Sequence, residues 1–199
     1  MKKEPFKIGI AGTHSTGKST FLALLEAVLK EHHLVVGRVS DLATRAKALG
    51  FPILTEHTYE STLWIMAEGL RQEAEASLSS DVILVDRPIF DALGYFEAAL
   101  EVSGRRAEPR RLEELRTIAR AHTKDYDLLV VTTLDPSIAL GAERDQNSKF
   151  REAVARHIAT LTSDIAPGAL QMTSTNAPAI IKVATNIIET RRAASTVRY

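Results

Sequence analysis

The stretch Gly12-Thr13-His14-Ser15-Thr16-Gly17-Lys18-Ser19-Thr20 constrains this chain more than any other. It contains G-x-x-x-x-G-K-S, and both flanks have the periodicity that such a loop requires. Phe6 to Ala11 (FKIGIA) is a short apolar run with β-branched residues, suited to a buried strand. Thr20 to Lys30 (TFLALLEAVLK) carries apolar residues at helical spacing. Between a strand and a helix, Gly12 and Gly17 can take backbone angles that a side chain would forbid. The N–H groups of the loop then converge as an anion nest at the positive end of the helix. Lys18 supplies a mobile charge for the β- and γ-phosphates, and the Ser19 hydroxyl suits a magnesium ion. The stretch predicts binding of a nucleoside triphosphate with Mg2+. His14 either contacts phosphate or points to solvent.

With 199 residues, the chain is long enough for one domain with a sizeable core. Lys plus Arg (25) balances Asp plus Glu (25), so no global field draws in nucleic acid or an anionic membrane. Cysteine is absent, which excludes disulfides and thiolate metal sites. The opening MKKEPFKIGI lacks the apolar content of a signal peptide, and no run reaches membrane-spanning length. A soluble, cytoplasmic protein is expected, and a homodimer is compatible with the sequence.

Further along, short apolar runs alternate with helical patterns. Strands are expected at Leu34 to Val39, Val82 to Val85, Leu128 to Thr132 and, more weakly, Leu170 to Thr173. Helices are expected at Asp41 to Leu49, Thr58 to Leu78, Phe90 to Val102, Leu112 to Thr123, Phe150 to Leu161 and Ala177 to Arg191. Arg105 to Arg111 reads as a charged loop, and residues 193–199 as a flexible tail after a single domain over 1–192. The alternation argues for an α/β fold, a parallel sheet covered on both faces. Ligands of such sheets bind beyond the carboxyl ends of the strands.

The polar residues that follow the apolar runs are therefore the informative ones. Asp86 ends a strand, where a lone carboxylate is costly to bury, and it either shares the Ser19-bound magnesium or caps the next helix. Arg87 suits a bidentate phosphate contact, or else pairs with Asp86 or Asp91. Asp41 and Arg45, one helical turn apart, either form a solvated pair or serve the acceptor. In the second reading Asp41 orients or deprotonates a hydroxyl and Arg45 grips an anionic group. The polar segment at about 138–150 looks like a lid, with Arg144 and Arg151 on one face if it is helical. Such arginines would close over ATP and stabilise phosphoryl charge. Trp64 reads as core, with a stacking surface in the acceptor pocket as the alternative.

Gly12 to Thr20, Asp41…Arg45, Asp86-Arg87 and Gly141…Arg144-Asp145…Phe150-Arg151 together resemble the AAA-domain-like ATP-binding proteins related to the nicotinamide-riboside kinase domain. More broadly the chain is similar to P-loop nucleoside and nucleotide kinases, from about Lys7 to Leu161. The resemblance implies a three-layer P-loop kinase fold with a five-stranded parallel sheet and a lid. It also implies phosphoryl transfer from ATP-magnesium to a small acceptor, with an acidic residue after the second strand facing that acceptor, matching Asp41. The family more often carries Glu there with Arg three residues on, whereas here Asp41 and Arg45 are four apart.

A small-molecule kinase acting on a nucleoside, nucleotide or related metabolite is the reading these residues favour. An ATPase switch regulating a protein partner is one alternative. A nucleic-acid end kinase is another: it would need a basic channel, for which Arg105, Arg106, Arg110 and Arg111 are the candidates.

Overall fold

The computed structural model describes residues 4–14, 16–133 and 147–196. Five strands form one sheet: β1 (Phe6–Ala11), β2 (Val36–Val39), β3 (Val82–Asp86), β4 (Leu128–Thr132) and β5 (Leu170–Met172). Their order is β2-β3-β1-β4-β5, and every pairing is parallel. The central strands show the period of two that a sheet buried on both faces imposes. Ile8, Ile10, Val82, Leu84, Leu128 and Val130 point to one face, while Ala11, Ile83, Val85, Leu129 and Val131 point to the other.

The first face is covered by α1 (Lys18–Glu31) and α7 (Ala177–Thr196), through Phe21, Leu22, Leu25 and Leu29 against Ile180, Ala184 and Ile188. The second carries α2 (Leu42–Ala48), α3 (Tyr59–Ser77), α4 (Ile89–Ser103), α5 (Pro109–Thr123) and α6 (Ser148–Ile165). α4 is buried along most of its length, and its Gly94 lets α6 approach closely. A Cβ at Gly94 would stand 2.7 Å from Ile158 Cγ1. This is the expected three-layer α/β arrangement.

Local chemistry explains where boundaries depart from expectation. β2 starts at Val36 rather than Leu34 because the preceding residues close α1. His33 is left-handed (φ 56°), its N–H bonds to Lys30 O at 2.9 Å, and Leu34 N–H reaches Leu29 O at 3.1 Å. That is a Schellman closure. α5 starts at Pro109, inside the stretch expected as a charged loop, since proline is well suited to a first helical position. α6 gains a first turn because Asn147 Oδ1 accepts Phe150 N–H at 3.0 Å. α7 continues through Thr196, into the stretch expected as a tail. Most of the expected lid, residues 138–146, lies outside the described residues. Among the described residues no helix is long and apolar enough to cross a membrane.

Candidate active site

β1 delivers the chain to the loop at Gly12, which has φ 125° and lies against β4. A Cβ there would come 2.1 Å from Thr132 Oγ1 and 3.1 Å from Thr132 O, so only glycine fits. Thr132 ties the loop down: its hydroxyl lies 2.6 Å from that of Thr16 and 3.2 Å from Ala11 O. Thr16 Oγ1 also reaches Thr13 O at 3.0 Å. Gly17 (φ 83°) turns the chain into α1. Lys18, on the first turn, is buried and directs its ammonium into the loop, donating to Gly12 O at 2.8 Å and to Thr13 O. Ser19 and Thr20 are exposed beside it, and His14 is buried.

β3 ends one strand over, with Asp86 in register with Ile10. Asp86 Oδ1 is buried and has no hydrogen-bond partner among the described residues. Arg87 follows in the left-handed region (φ 71°), where its N–H still pairs with Ile10 O at 3.1 Å as the chain turns away from the sheet. Its Nη1 donates to Gly12 O at 3.2 Å and Tyr95 OH at 2.8 Å, and lies 3.4 Å from Asp91 Oδ2. The guanidinium also stacks 4.8 Å from the Tyr95 ring centroid. Asp91, 1% exposed, accepts Gly12 N–H on both oxygens at 3.2 and 3.3 Å. Burial pushes its carboxyl up to about 6, against the pull of Arg87 and Lys18.

Beside this pair lies a mostly apolar pocket, partly open to solvent, with a cavity volume of about 50 Å³. Leu42 and Ala43 of α2, Met66 of α3, His57 before it, and Ala92 and Tyr95 of α4 are among its lining residues, as are Arg87 and Asp91. Glu73 lines it too, but its carboxylate is spent, accepting Tyr126 OH at 2.6 Å and Lys7 Nζ at 3.2 Å.

The structure thus brings Gly12 to His14, Thr16 to Thr20, Asp86 and Arg87 to the carboxyl ends of adjacent strands. It places Asp41 and Arg45 further out. Asp41 is exposed and left-handed (φ 61°) before α2, accepting Ser40 Oγ at 3.0 Å, while Arg45 pairs with Glu68 on α3. Trp64 packs on Phe51 with centroids 5.6 Å apart and is not among the residues lining the pocket. Arg151 is buried in the first turn of α6, and Ser15 and Arg144 lie outside the described residues. Asp91 appeared in the sequence only as an alternative partner for Arg87, and that ion pair is present. Thr132, Tyr95 and His57 carried no motif signal, because their contacts bridge elements far apart in the chain.

A parallel sheet of this order, with a phosphate loop after β1 and an Asp-Arg pair after β3, defines a P-loop protein of nucleoside and nucleotide kinase-like fold. The chain belongs to the AAA-domain family, whose match runs over residues 7–169. Its fold is similar to that of thymidylate kinase from Candida albicans, with TM-score 0.65 and 18% identity over 96% of this chain and 94% of that one. It is also similar to deoxyadenosine kinase from M. mycoides with bound dATP (0.63, 12%, covering 92% and 100%). A NadR protein in complex with NR gives 0.61 and 11%, covering 86% of this chain and 46% of that one. No curated protein sequence matches the chain significantly.

Proposed function

We propose that this protein is a kinase that transfers the γ-phosphoryl group of ATP to a small acceptor, a nucleoside, nucleotide or related metabolite. One observation carries this reading. The phosphate loop and an apolar pocket share a wall, because Arg87 and Asp91 both line the pocket and both bond Gly12 of the loop. A phosphoryl donor and an acceptor would then meet across that wall.

In this reading the loop amides and Lys18 hold the triphosphate. Phosphate oxygens offer the Lys18 ammonium a charge-assisted bond in exchange for the neutral carbonyls that now hold it. Ser19 and Asp86 suit a magnesium ion, since the buried, unpartnered Asp86 Oδ1 is an oxygen that asks for a cation. Bound there, the metal would neutralise charge on the transferred group. Magnesium draws on phosphate oxygens and water as much as on protein. A site with few protein ligands therefore agrees with the absence, among the described residues, of any metal-binding group of three His, Cys, Asp or Glu. Asp41 opens the helix whose Leu42 and Ala43 line the pocket, and is proposed as the carboxylate that orients or deprotonates the acceptor hydroxyl. Arg45 is proposed to exchange Glu68 for an anionic group of the acceptor, Arg87 to steady the phosphoryl oxygens, and Arg144 and Arg151 to close over ATP.

An apolar pocket beside the loop has no evident use in a hydrolytic switch. A nucleic-acid channel is disfavoured because Arg105 donates to Thr55 O at 2.8 Å and Arg111 pairs with Glu60 at 2.7 Å. The test is ADP release from ATP-magnesium with and without nucleosides, nucleotides and oligonucleotides. Stimulation by a small acceptor supports the proposal. Release independent of any acceptor, or stimulated by oligonucleotides alone, overturns it.

A further inference from the structure

Three acceptors hold the Lys18 ammonium within the loop: Gly12 O at 2.8 Å, Thr13 O, and Thr16 Oγ1 at 3.4 Å. Each of the three has a second donor already in place. Gly12 O also takes Arg87 Nη1 at 3.2 Å, and Thr13 O takes the Thr16 hydroxyl at 3.0 Å. Thr16 Oγ1 has the Thr132 hydroxyl 2.6 Å away, at the end of β4. Thr13, Thr16, Lys18 and Thr132 are each no more than 6% exposed, so water is poorly placed to replace a partner lost among them.

The two hydroxyls own one proton each, and three bonds compete for those two protons. They are the bond to Thr13 O, the bond to Ala11 O at 3.2 Å, and the bond between the hydroxyls themselves. While Lys18 donates to Thr16 Oγ1, Thr132 is free to spend its proton on Ala11 O. When Lys18 turns to phosphate oxygens, Thr16 Oγ1 loses that donor, and the Thr132 proton can take its place. The proton of Thr16 is then committed to Thr13 O, the carbonyl that Lys18 has also left. The exchange needs only rotation of the hydroxyls, because every heavy atom concerned already lies at bonding distance. Without the stand-in donors, each phosphate contact made by Lys18 would leave a buried acceptor unpaired and lose affinity.

We propose that Thr132 is a positioning residue of the nucleotide site, the last donor of a chain from Thr132 to Thr16 to Thr13 O that frees Lys18 for the β- and γ-phosphates. Thr132 acts through Thr16 and the loop, without itself touching the nucleotide. The inference rests on the ATP-binding half of the kinase reading and is independent of which acceptor is phosphorylated.

The test is calorimetric titration of the full chain with ATP-magnesium, beside urea unfolding of the same preparations without nucleotide. Thr132→Val keeps the shape of the side chain and removes the hydroxyl. It should weaken ATP-magnesium binding about tenfold, since Thr16 Oγ1 is left unpaired once Lys18 turns away. A mere anchor would lower the unfolding midpoint and leave that affinity unchanged. Thr132→Ser, which keeps the hydroxyl, should restore most of the affinity. In a Thr16→Val background, where the chain is already cut, Thr132→Val should cost no further affinity. Should Thr132→Val not fold, Thr132→Ala carries the same test. A folded variant without the hydroxyl that binds ATP-magnesium as wild type does overturns the inference. So does a Thr132→Ser variant as weak as Thr132→Val, or losses at Thr16 and Thr132 that multiply. A wild type that binds ATP-magnesium but transfers to no acceptor ends the kinase reading and leaves this inference standing. One that binds no ATP-magnesium ends both.

Discussion

The amide of Gly12 donates to the carboxylate of Asp91, 79 positions further along the chain, at 3.2 Å. The carbonyl of the same glycine accepts from Arg87 at 3.2 Å, and Arg87 lies 3.4 Å from Asp91. The first residue of the phosphate loop is thus gripped through both its N–H and its C=O by a single ion pair at the β3–α4 junction. Asp91→Ala should leave a buried N–H unpaired and free Arg87 to move, at a cost of about 1–3 kcal/mol in stability. It should also raise the KM for ATP more than it lowers kcat. Urea unfolding and steady-state kinetics on the same preparation check both halves. Unchanged ATP affinity would confine Asp91 to a structural role.

Lys18→Ala should abolish turnover, with a loss on the order of 10³-fold or more, as for a charge that stabilises the transferred group. The fold should survive, because the ammonium's bonds to Gly12 O, Thr13 O and the Thr16 hydroxyl lie within the loop itself. Circular dichroism of the variant alongside an ADP assay decides the matter.

Asp86 and Asp41 should separate in their effects. Asp86→Asn removes the unpartnered carboxylate oxygen, so magnesium-dependent nucleotide binding should weaken with every acceptor, and added magnesium should recover part of it. Asp41 is exposed before α2, beyond the edge strand β2. Asp41→Asn should leave ATP-magnesium binding nearly unchanged and lower transfer by about 10²–10⁴-fold if the carboxylate acts as a base. Calorimetric titration of nucleotide against both variants would expose a wrong assignment, by showing equal damage.

His57 links stability to pH. Burial, with help from Arg87 and Arg105, lowers its folded pKa from 6.5 to about 4, so the unfolded chain takes up a proton that the folded one refuses. Stability from this group is present above pH 6.5 and drains away as pH falls towards 4, by up to about 3 kcal/mol. Asp91 pulls the other way, because its raised folded pKa favours the folded state as pH falls below about 6. Comparing wild type with His57→Phe cancels Asp91. The difference in unfolding free energy between the two should change by that amount from pH 7 to pH 4.5, and a constant difference would refute the linkage.

By itself the sequence determined the parts whose cause is local. The loop from Gly12 to Ser19, the strand before it and the helix after it are written in adjacent residues, and Asp86-Arg87 is marked by the apolar run that it ends. The period of two in β1, β3 and β4 and the apolar spacing of the helices likewise follow from neighbours in the chain. Tertiary structure alone decided what those residues touch. Arg45 turned to Glu68, and Arg87 to Gly12, Asp91 and Tyr95, because an ion pair forms with the nearest opposite charge in space and sequence distance does not enter. Thr132 became an anchor of the phosphate loop only because β4 lies beside β1. His57 came to line a pocket because α2, α3 and α4 converge around it, and burial by distant elements leaves no trace in a local pattern.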